Sequence, residues 1–577
     1  MVYRNSVKKK EKIVFSRLTV LALLIFFMAF LIIIKLVIMM VFNHDYYTAI
    51  AKDQQEFFSE LLPKRGEIYL KEQGTDEGSA LAINRKYYLM YAVPAQVTKP
   101  KQASEVIAQL FEVDQEKIFL QLIKENDVYE PLVHKVDDDQ MAEIEKYEFD
   151  GIRFSEENWR YYPENTLASQ VTGFVGYLGD EKIGRYGLEG YFEDELAGQK
   201  GATNFTRDAV GRLIPVADSN YQPAEDGVDL ILTLDRSIQY VACQALERAV
   251  LKHGADSGTV IIMDPKTGAI MSMCNYPNFD PNNYSQVDDV NVFNNIAIFD
   301  DYEPGSIFKP ITMSMAIDLG RVTSETTYED TGEVKIAGFT IYNSDKEAHG
   351  IRTMTQVLEE SLNTGAIFAA QKVGNDLFEK YVEDYGFGKL TGITLDTEVP
   401  GNISSLGNGD VYTATASFGQ GITVTPLQMA TTFSVFANGG KLMKPYIVDE
   451  KIYPDGTIKK IEPEIVRQVI SPKTALTISG MLASVVKYGH AKTAALADYF
   501  VAGKTGTAQV ADKDTGQYYA NQFIHTFVGF TPLDDPKFVM LTKIDNPKDV
   551  TFADSSAAPL FKEIAQFLVN YLQIPKE

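Results

Sequence analysis

Three short runs combine residue types suited to acyl transfer: Ser306-Ile307-Phe308-Lys309, Ser361-Leu362-Asn363 and Lys504-Thr505-Gly506-Thr507. A serine hydroxyl is a weak nucleophile until a base takes its proton, and lysine can be that base only when its pKa falls well below the free value of about 10.4. Partial burial and a second cation lower it. Lys504 is the natural second cation for Lys309. Ser361 and Asn363 offer hydrogen bonds that aim Lys309 and relay a proton toward a leaving amine. Gly506 is expected to leave the Lys504 strand bare, so that a peptide-like substrate can lie alongside it.

These groups need a particular frame. Pro304-Gly305 breaks the chain before a helix expected to start at Ser306 and to run through Ile311, Met315, Ala316 and Leu319. Three residues make nearly one turn, so the Lys309 amine reaches the Ser306 hydroxyl from the same face. Pro310 is tolerated because first-turn amides have no internal partner, and backbone N–H groups at such a start are placed to hold an oxyanion. Two look-alikes lack this setting: Ser6-Val7-Lys8-Lys9 lies in a basic tail, and Lys266-Thr267-Gly268 lies in a hairpin turn. Two Asp-Thr-Gly triplets, at Asp330 and Asp514, fall in polar loops and do not read as an aspartic protease.

The 577 residues carry a net charge of −24, yet six basic residues against Glu11 make the first 17 residues positive. An acidic body repels phosphate backbones, so no nucleic-acid partner is expected. From Leu18 to Phe42 the chain is apolar except for Thr19 and Lys35. As a helix it would span about 38 Å, enough for a tilted membrane crossing. The basic residues 1–17 would then stay in the cytoplasm and the rest would lie outside. Six dispersed histidines give no zinc-like spacing, so no metal and no cofactor are expected. Cys243 and Cys274 stand in apolar surroundings and read as two ordinary buried thiols.

After the span, residues 43 to about 62 look helical, and strands begin near Arg65. Residues 103 to 147 show helical spacing, through Ile123 and again, after a loop, at Met141, Ile144 and Tyr147, and the glycine-rich passage 173–201 with the polar run 217–227 reads as a hinge. A second module opens with a strand at Leu230–Leu234 and a helix from Ser237. A hairpin follows, Thr259–Met263 with Ala269–Cys274, and strand pairs recur at Phe500–Val510, Phe523–Thr531 and Phe538–Ile544. Adjacent sheet signals favour an antiparallel sheet.

The three runs in this order resemble the signature of penicillin-binding proteins and serine β-lactamases. Longer strings make the chain similar to the class B penicillin-binding proteins, monofunctional peptidoglycan D,D-transpeptidases. These are Arg65-Gly66-Glu67-Ile68, Arg160-Tyr161-Tyr162-Pro163, Gly187-Leu188-Glu189, Thr233-Leu234-Asp235, Tyr302-Glu303-Pro304-Gly305-Ser306, Gly419-Gln420-Gly421, Ala437-Asn438-Gly439-Gly440 and Phe527-Val528-Gly529-Phe530. Leu70-Lys71 and Ile296 depart from the family pattern outside the catalytic runs.

The resemblance implies an α+β fold: a transpeptidase domain with a central antiparallel sheet flanked by helices (223–577), preceded by an extended pedestal of the dimerisation type (43–222), a transmembrane helix (18–42) and a cytoplasmic tail (1–17). It implies catalysis by Ser306, Lys309, Ser361, Asn363 and Lys504, with substrate held by Thr505, Gly506 and Thr507. The acyl donor would be a stem peptide ending in D-Ala-D-Ala, the acceptor a neighbouring stem amine, and β-lactams would acylate Ser306. Expected partners are the membrane, a peptidoglycan glycosyltransferase and other division proteins. The stretch Asn278-Phe279-Asp280-Pro281-Asn282 looks more like the division type than the elongation type. A carboxypeptidase, a β-lactamase or β-lactam sensor, and an inactive scaffold share parts of this pattern and stay open at this point.

Overall fold

The computed structural model describes residues 17–37, 56–61, 63–72, 78–124, 129–179, 181–207, 213–214, 223–511 and 517–577. Contacts divide the chain into two units. In the unit of residues 1–63 and 199–225, Glu56–Leu61 pairs antiparallel with Gly201–Arg207, which also pairs with Leu213–Ile214. The helix expected over residues 43 to 62 is therefore a strand at its C-terminal end, because cross-strand pairing overrides local propensity; residues 43–55 lie outside the described set. Arg17–Val37 is helical. Side chains within it are described at Leu21 and from Leu24 to Lys35, and among residues so described no helix is long and apolar enough to cross a membrane.

The other unit, residues 64–198 and 226–577, is built on a five-stranded antiparallel sheet in the order Ile270–Tyr276, Ser257–Met263, Phe538–Asp545, Tyr518–Thr531, Ala502–Ala511. Side-chain alternation buries both faces. On one face Thr542 donates to the Ala557 carbonyl at 2.9 Å and Phe527 meets Phe561 edge-on, both on the helix Ala557–Tyr571. On the other, Lys543 reaches Asp300 at 3.1 Å. The helix Arg236–Lys252 starts where Asp235 accepts from the Ile238 N–H at 3.0 Å, a side-chain cap for an otherwise unpaired donor. The predicted hairpin forms as Ser257–Met263 with Ile270–Tyr276, and Gly268 takes φ 85° in its turn.

A second, mixed sheet joins early and late segments of this unit: Asp229–Asp235 runs parallel to Ile68–Lys71 and antiparallel to Val448–Ile452. Beyond it, Ser79–Ala92 pairs with Glu130–Val136 and Ile152–Tyr161, and a small core of Met90, Ile107, Ile118, Leu122 and Ile144 lies under short helices. The helices Pro100–Phe111, Gln115–Leu122 and Asp138–Glu145 form where helical spacing is expected, and the loop expected between Ile123 and Met141 contains the strand Glu130–Val136, set by its pairing with Ser79–Ala92.

Two further expectations are corrected. Of the passage expected as a hinge, the described residues 173–179 and 181–198 are packed within this unit, and residues 217–222 lie outside the described set. Fully buried Glu189 receives Arg65 Nε at 2.7 Å, Arg160 Nε at 2.6 Å and the Tyr162 hydroxyl at 3.2 Å. Its glycines serve close approach: a Cβ on Gly184 would lie 2.0 Å from the Glu189 carbonyl oxygen. Cys243 and Cys274 are a disulfide with Cα atoms 5.2 Å apart, joining the helix Arg236–Lys252 to the strand Ile270–Tyr276 that it packs on. Their apolar setting does not distinguish thiols from a disulfide when the partner lies 31 residues away.

Candidate active site

Ser306 sits partly exposed on a tight 3-10 turn, Gly305–Phe308, and the α-helix proper begins at Lys309. The expected α-helical start is displaced because Pro310 has no N–H to give to the Ser306 carbonyl. The Lys309 N–H bonds that carbonyl instead. Gly305 adopts φ 58° and donates to the Gly419 carbonyl at 3.0 Å, and a Cβ on Gly419 would lie 2.2 Å from the Gly305 oxygen. The Gly419-Gln420-Gly421 loop thus braces the turn that presents Ser306.

Ser361 occupies the turn between the helices Met354–Glu359 and Asn363–Val373, at φ 58°. A non-glycine residue pays about 1–2 kcal/mol for that left-handed conformation. The strain turns both oxygens of Ser361 toward one amine: Lys309 Nζ bonds its carbonyl and lies 3.2 Å from its hydroxyl. Lys504, on the edge strand Ala502–Ala511, reaches the same hydroxyl at 3.0 Å and the Thr505 carbonyl at 3.1 Å.

Both lysines are fully buried, and among the described residues neither is paired with a carboxylate. Burial, and then the charge of Lys504, hold the Lys309 amine well below the ordinary lysine range, with Asp345 opposing. Burial alone lowers Lys504 to about 7. A neutral Lys309 beside a cation-capable Lys504 is what a serine-activating base requires.

The structure thus joins Lys309, Ser361 and Lys504 by direct hydrogen bonds and places Ser306 one turn before Lys309. Thr505 is buried, and Thr507 accepts from the Ala553 N–H at 3.2 Å. Asn363 donates to the Tyr342 carbonyl at 2.9 Å and bonds neither lysine. Gly506 has a different role from the one expected. A Cβ there would point into the protein, 2.4 Å from Thr526 Oγ1, 3.1 Å from Ile307 Cγ2 and 3.1 Å from the Pro304 carbonyl oxygen. Glycine at 506 therefore lets the Lys504 strand close on the turn that carries Ser306.

Reading the sequence missed Thr526, visible only through strand register, in which it stands opposite Gly506. It also missed the residues behind Asn363. Asp330, set aside as part of a chance Asp-Thr-Gly, is buried and accepts from Thr364 Oγ1 at 2.6 Å and from Asn343 Nδ2 at 2.9 Å. The 13- and 34-residue separations carry no local signal.

Two families match the chain: the penicillin binding protein transpeptidase domain over residues 258–566 and the penicillin-binding protein dimerisation domain over residues 60–232. Stage V sporulation protein D of Bacillus subtilis is 34% identical over 524 residues, covering 90% of this chain and 80% of that protein. Penicillin-binding protein PbpB of Mycolicibacterium smegmatis is 33% identical, covering 82% and 74%. Among solved structures, penicillin binding protein 3 of Mycobacterium tuberculosis in complex with aztreonam superposes with a TM-score of 0.70 at 25% identity, covering 90% of this chain and 98% of that one. Domain order, sequence relatives and fold agree: this chain belongs to the class B penicillin-binding proteins and is a transpeptidase of that family.

Proposed function

We propose that this chain cross-links peptidoglycan through an ester on Ser306. Neutral Lys309 takes the Ser306 proton as the hydroxyl attacks the carbonyl of the penultimate D-Ala of a stem peptide. The backbone N–H groups of Ser306 and Thr507 hold the oxyanion, and Thr505, Thr507 and protonated Lys504 hold the terminal carboxylate. Collapse of the tetrahedral intermediate breaks the peptide bond, and the proton passes through Ser361 to the leaving D-Ala amine. An amine from a second stem then attacks the ester by the reverse route, restoring Ser306.

The observation that carries this reading is the convergence of Lys309 and Lys504 on the Ser361 hydroxyl, which supplies a buried base, a proton relay and a cation in one connected set. A test is D-Ala release by the full-length chain from a pentapeptide-bearing donor, with and without an amine acceptor. Cross-linked product that depends on Ser306 and Lys309 supports the assignment. Hydrolysed donor alone, at any acceptor concentration, would favour a carboxypeptidase.

The apolar run 18–42 supports an anchor in the membrane, with residues 1–17 inside and the pedestal (43–222) and catalytic domain (223–577) outside. Names among the relatives support a division or sporulation setting: Stage V sporulation protein D, and an FtsI homolog of Mesostigma viride that is 28% identical. A glycosyltransferase supplying glycan strands would be the natural partner. The aztreonam complex of the mycobacterial protein supports β-lactams as acylating inhibitors of Ser306.

A further inference from the structure

Behind the Ser361-Leu362-Asn363 turn lies a polar cluster that the proposed mechanism does not use. Its centre is Asp330, 2% exposed, at the end of the strand Thr327–Asp330. One oxygen accepts from Thr364 Oγ1 at 2.6 Å and from the Gly332 N–H at 3.1 Å. The other accepts from Asn343 Nδ2 at 2.9 Å and the His349 N–H at 3.0 Å, and pairs with His349 Nδ1 at 2.8 Å. The Asn343 Oδ1 atom accepts from the Thr364 backbone N–H at 3.2 Å, so Asp330, Asn343 and Thr364 close a ring. The far side of the His349 ring faces Asp345 at 3.1 Å.

Both arms of this ring end on Asn363. Thr364, held through its hydroxyl and its N–H, is the next residue in the chain. Asn343, held on both Asp330 oxygens, follows Tyr342, whose carbonyl receives Asn363 Nδ2 at 2.9 Å. Fixing residues 364 and 342 fixes the backbone of Asn363 and the acceptor of its amide. A lone buried carboxylate would be costly, and this one is stabilised by four donors, Thr364 Oγ1, Asn343 Nδ2 and the N–H groups of Gly332 and His349, besides its pairing with the His349 ring. Burial alone would raise its pKa; the Thr364 hydroxyl, the His349 ring and the backbone N–H groups hold it below the ordinary aspartate range.

We propose that Asp330 is a positioning residue for the transpeptidase reaction: through Thr364 and Asn343 it locks Asn363 in the orientation from which that side chain meets the substrate. This rests on the assignment of Ser306, Lys309 and Asn363 to the active site. Asp330 itself does not touch the reacting atoms, and its effect is carried entirely by Asn363.

The test is the second-order rate of acylation of the full-length chain by a fluorescent penicillin. It is measured for wild type, Asp330→Asn, Thr364→Val, Thr364→Ser, Asn363→Ala and the double variant Asp330→Asn with Asn363→Ala, each with its melting temperature. We expect a loss of about tenfold or more for Asp330→Asn and Thr364→Val, recovery in Thr364→Ser, and no further loss from Asp330→Asn once Asn363 is alanine. Equal losses in the two backgrounds, or wild-type rates in Asp330→Asn, would overturn the proposal. If Asp330→Asn does not fold, the pair Thr364→Val and Thr364→Ser decides, since equal rates for these two would also overturn it. Ser306→Ala, run alongside, separates the two levels. Labelling that survives it overturns the nucleophile assignment and this proposal together, whereas lost labelling with additive losses overturns this proposal alone.

Discussion

Lys309 and Lys504 meet at a single oxygen, the Ser361 hydroxyl, from 3.2 and 3.0 Å. Two ammonium groups cannot both be charged cheaply in a buried site, so one must give up its proton. Burial and then its neighbour's charge hold Lys309 well below the ordinary lysine range, and the arrangement makes a base from a residue that is ordinarily an acid.

The pH dependence of penicillin acylation should follow from this pair. The reaction needs Lys309 neutral and Lys504 protonated, so the rate should be high near neutrality and fall as pH rises past the value of about 7 for Lys504. In Lys504→Arg the guanidinium cannot lose its proton, so the alkaline fall should vanish even where the rate itself is lower. Acylation rates between pH 5 and 10 for both proteins check this.

Lys504 should also cost stability. Its folded pKa is depressed from 10.5 to about 7, so between those values the unfolded chain binds more protons, and wild-type stability rises with pH across that window. Lys504→Met should abolish acylation, melt no lower than wild type at pH 7, and lose the part of the pH slope due to Lys504. Melting temperatures at pH 7 and pH 9.5 measure it.

Glu189 should behave in the opposite way. It is fully buried between Arg65 and Arg160, and despite the burial these two guanidinium groups hold its carboxyl below the ordinary range. Its contribution is therefore present above the unfolded carboxyl value and lost as pH falls through the lower folded one. Glu189→Gln should destabilise the unit that holds it by about 3–5 kcal/mol, because it strands buried Arg160 without a carboxylate and leaves Arg65 with Glu193 alone. Denaturation of the variant against wild type at pH 7 tests this.

Gly506→Ala should reduce acylation by about tenfold or more, since its Cβ would lie 2.4 Å from Thr526 Oγ1 and 3.1 Å from the Pro304 carbonyl oxygen. The edge strand would have to move away from the nucleophile turn, and misplacement of about 1 Å can cost a hundredfold. Thr526→Ala in the same chain removes the nearest clash and should restore part of the rate, as acylation kinetics of the single and double variants would show.

Much of this was legible in the sequence because it is written locally. Short apolar runs in adjacent pairs marked the hairpin Ser257–Met263 with Ile270–Tyr276, the helix expected from Ser237 begins at Arg236, and Ser306 to Lys309 carried its own one-turn geometry. What escaped depends on long-range pairing. The strand Glu130–Val136 is set by its partner Ser79–Ala92, the Cys243–Cys274 bond by the packing of a helix on a strand, and the direction of the missing Gly506 side chain by register with Thr526. The glycines of 173–201 read as flexible, yet they serve close packing around a buried carboxylate, a use that composition alone does not distinguish. Asp330 looked like a coincidence because its partners arrive from two other elements.

The most direct test of the account is intact mass of the full-length chain after exposure to benzylpenicillin, followed by peptide mapping, for wild type and Ser306→Ala. We expect one long-lived adduct on the peptide containing Ser306, and none in the variant. A stable adduct elsewhere, undiminished in Ser306→Ala, would contradict the assignment of Ser306 as the nucleophile.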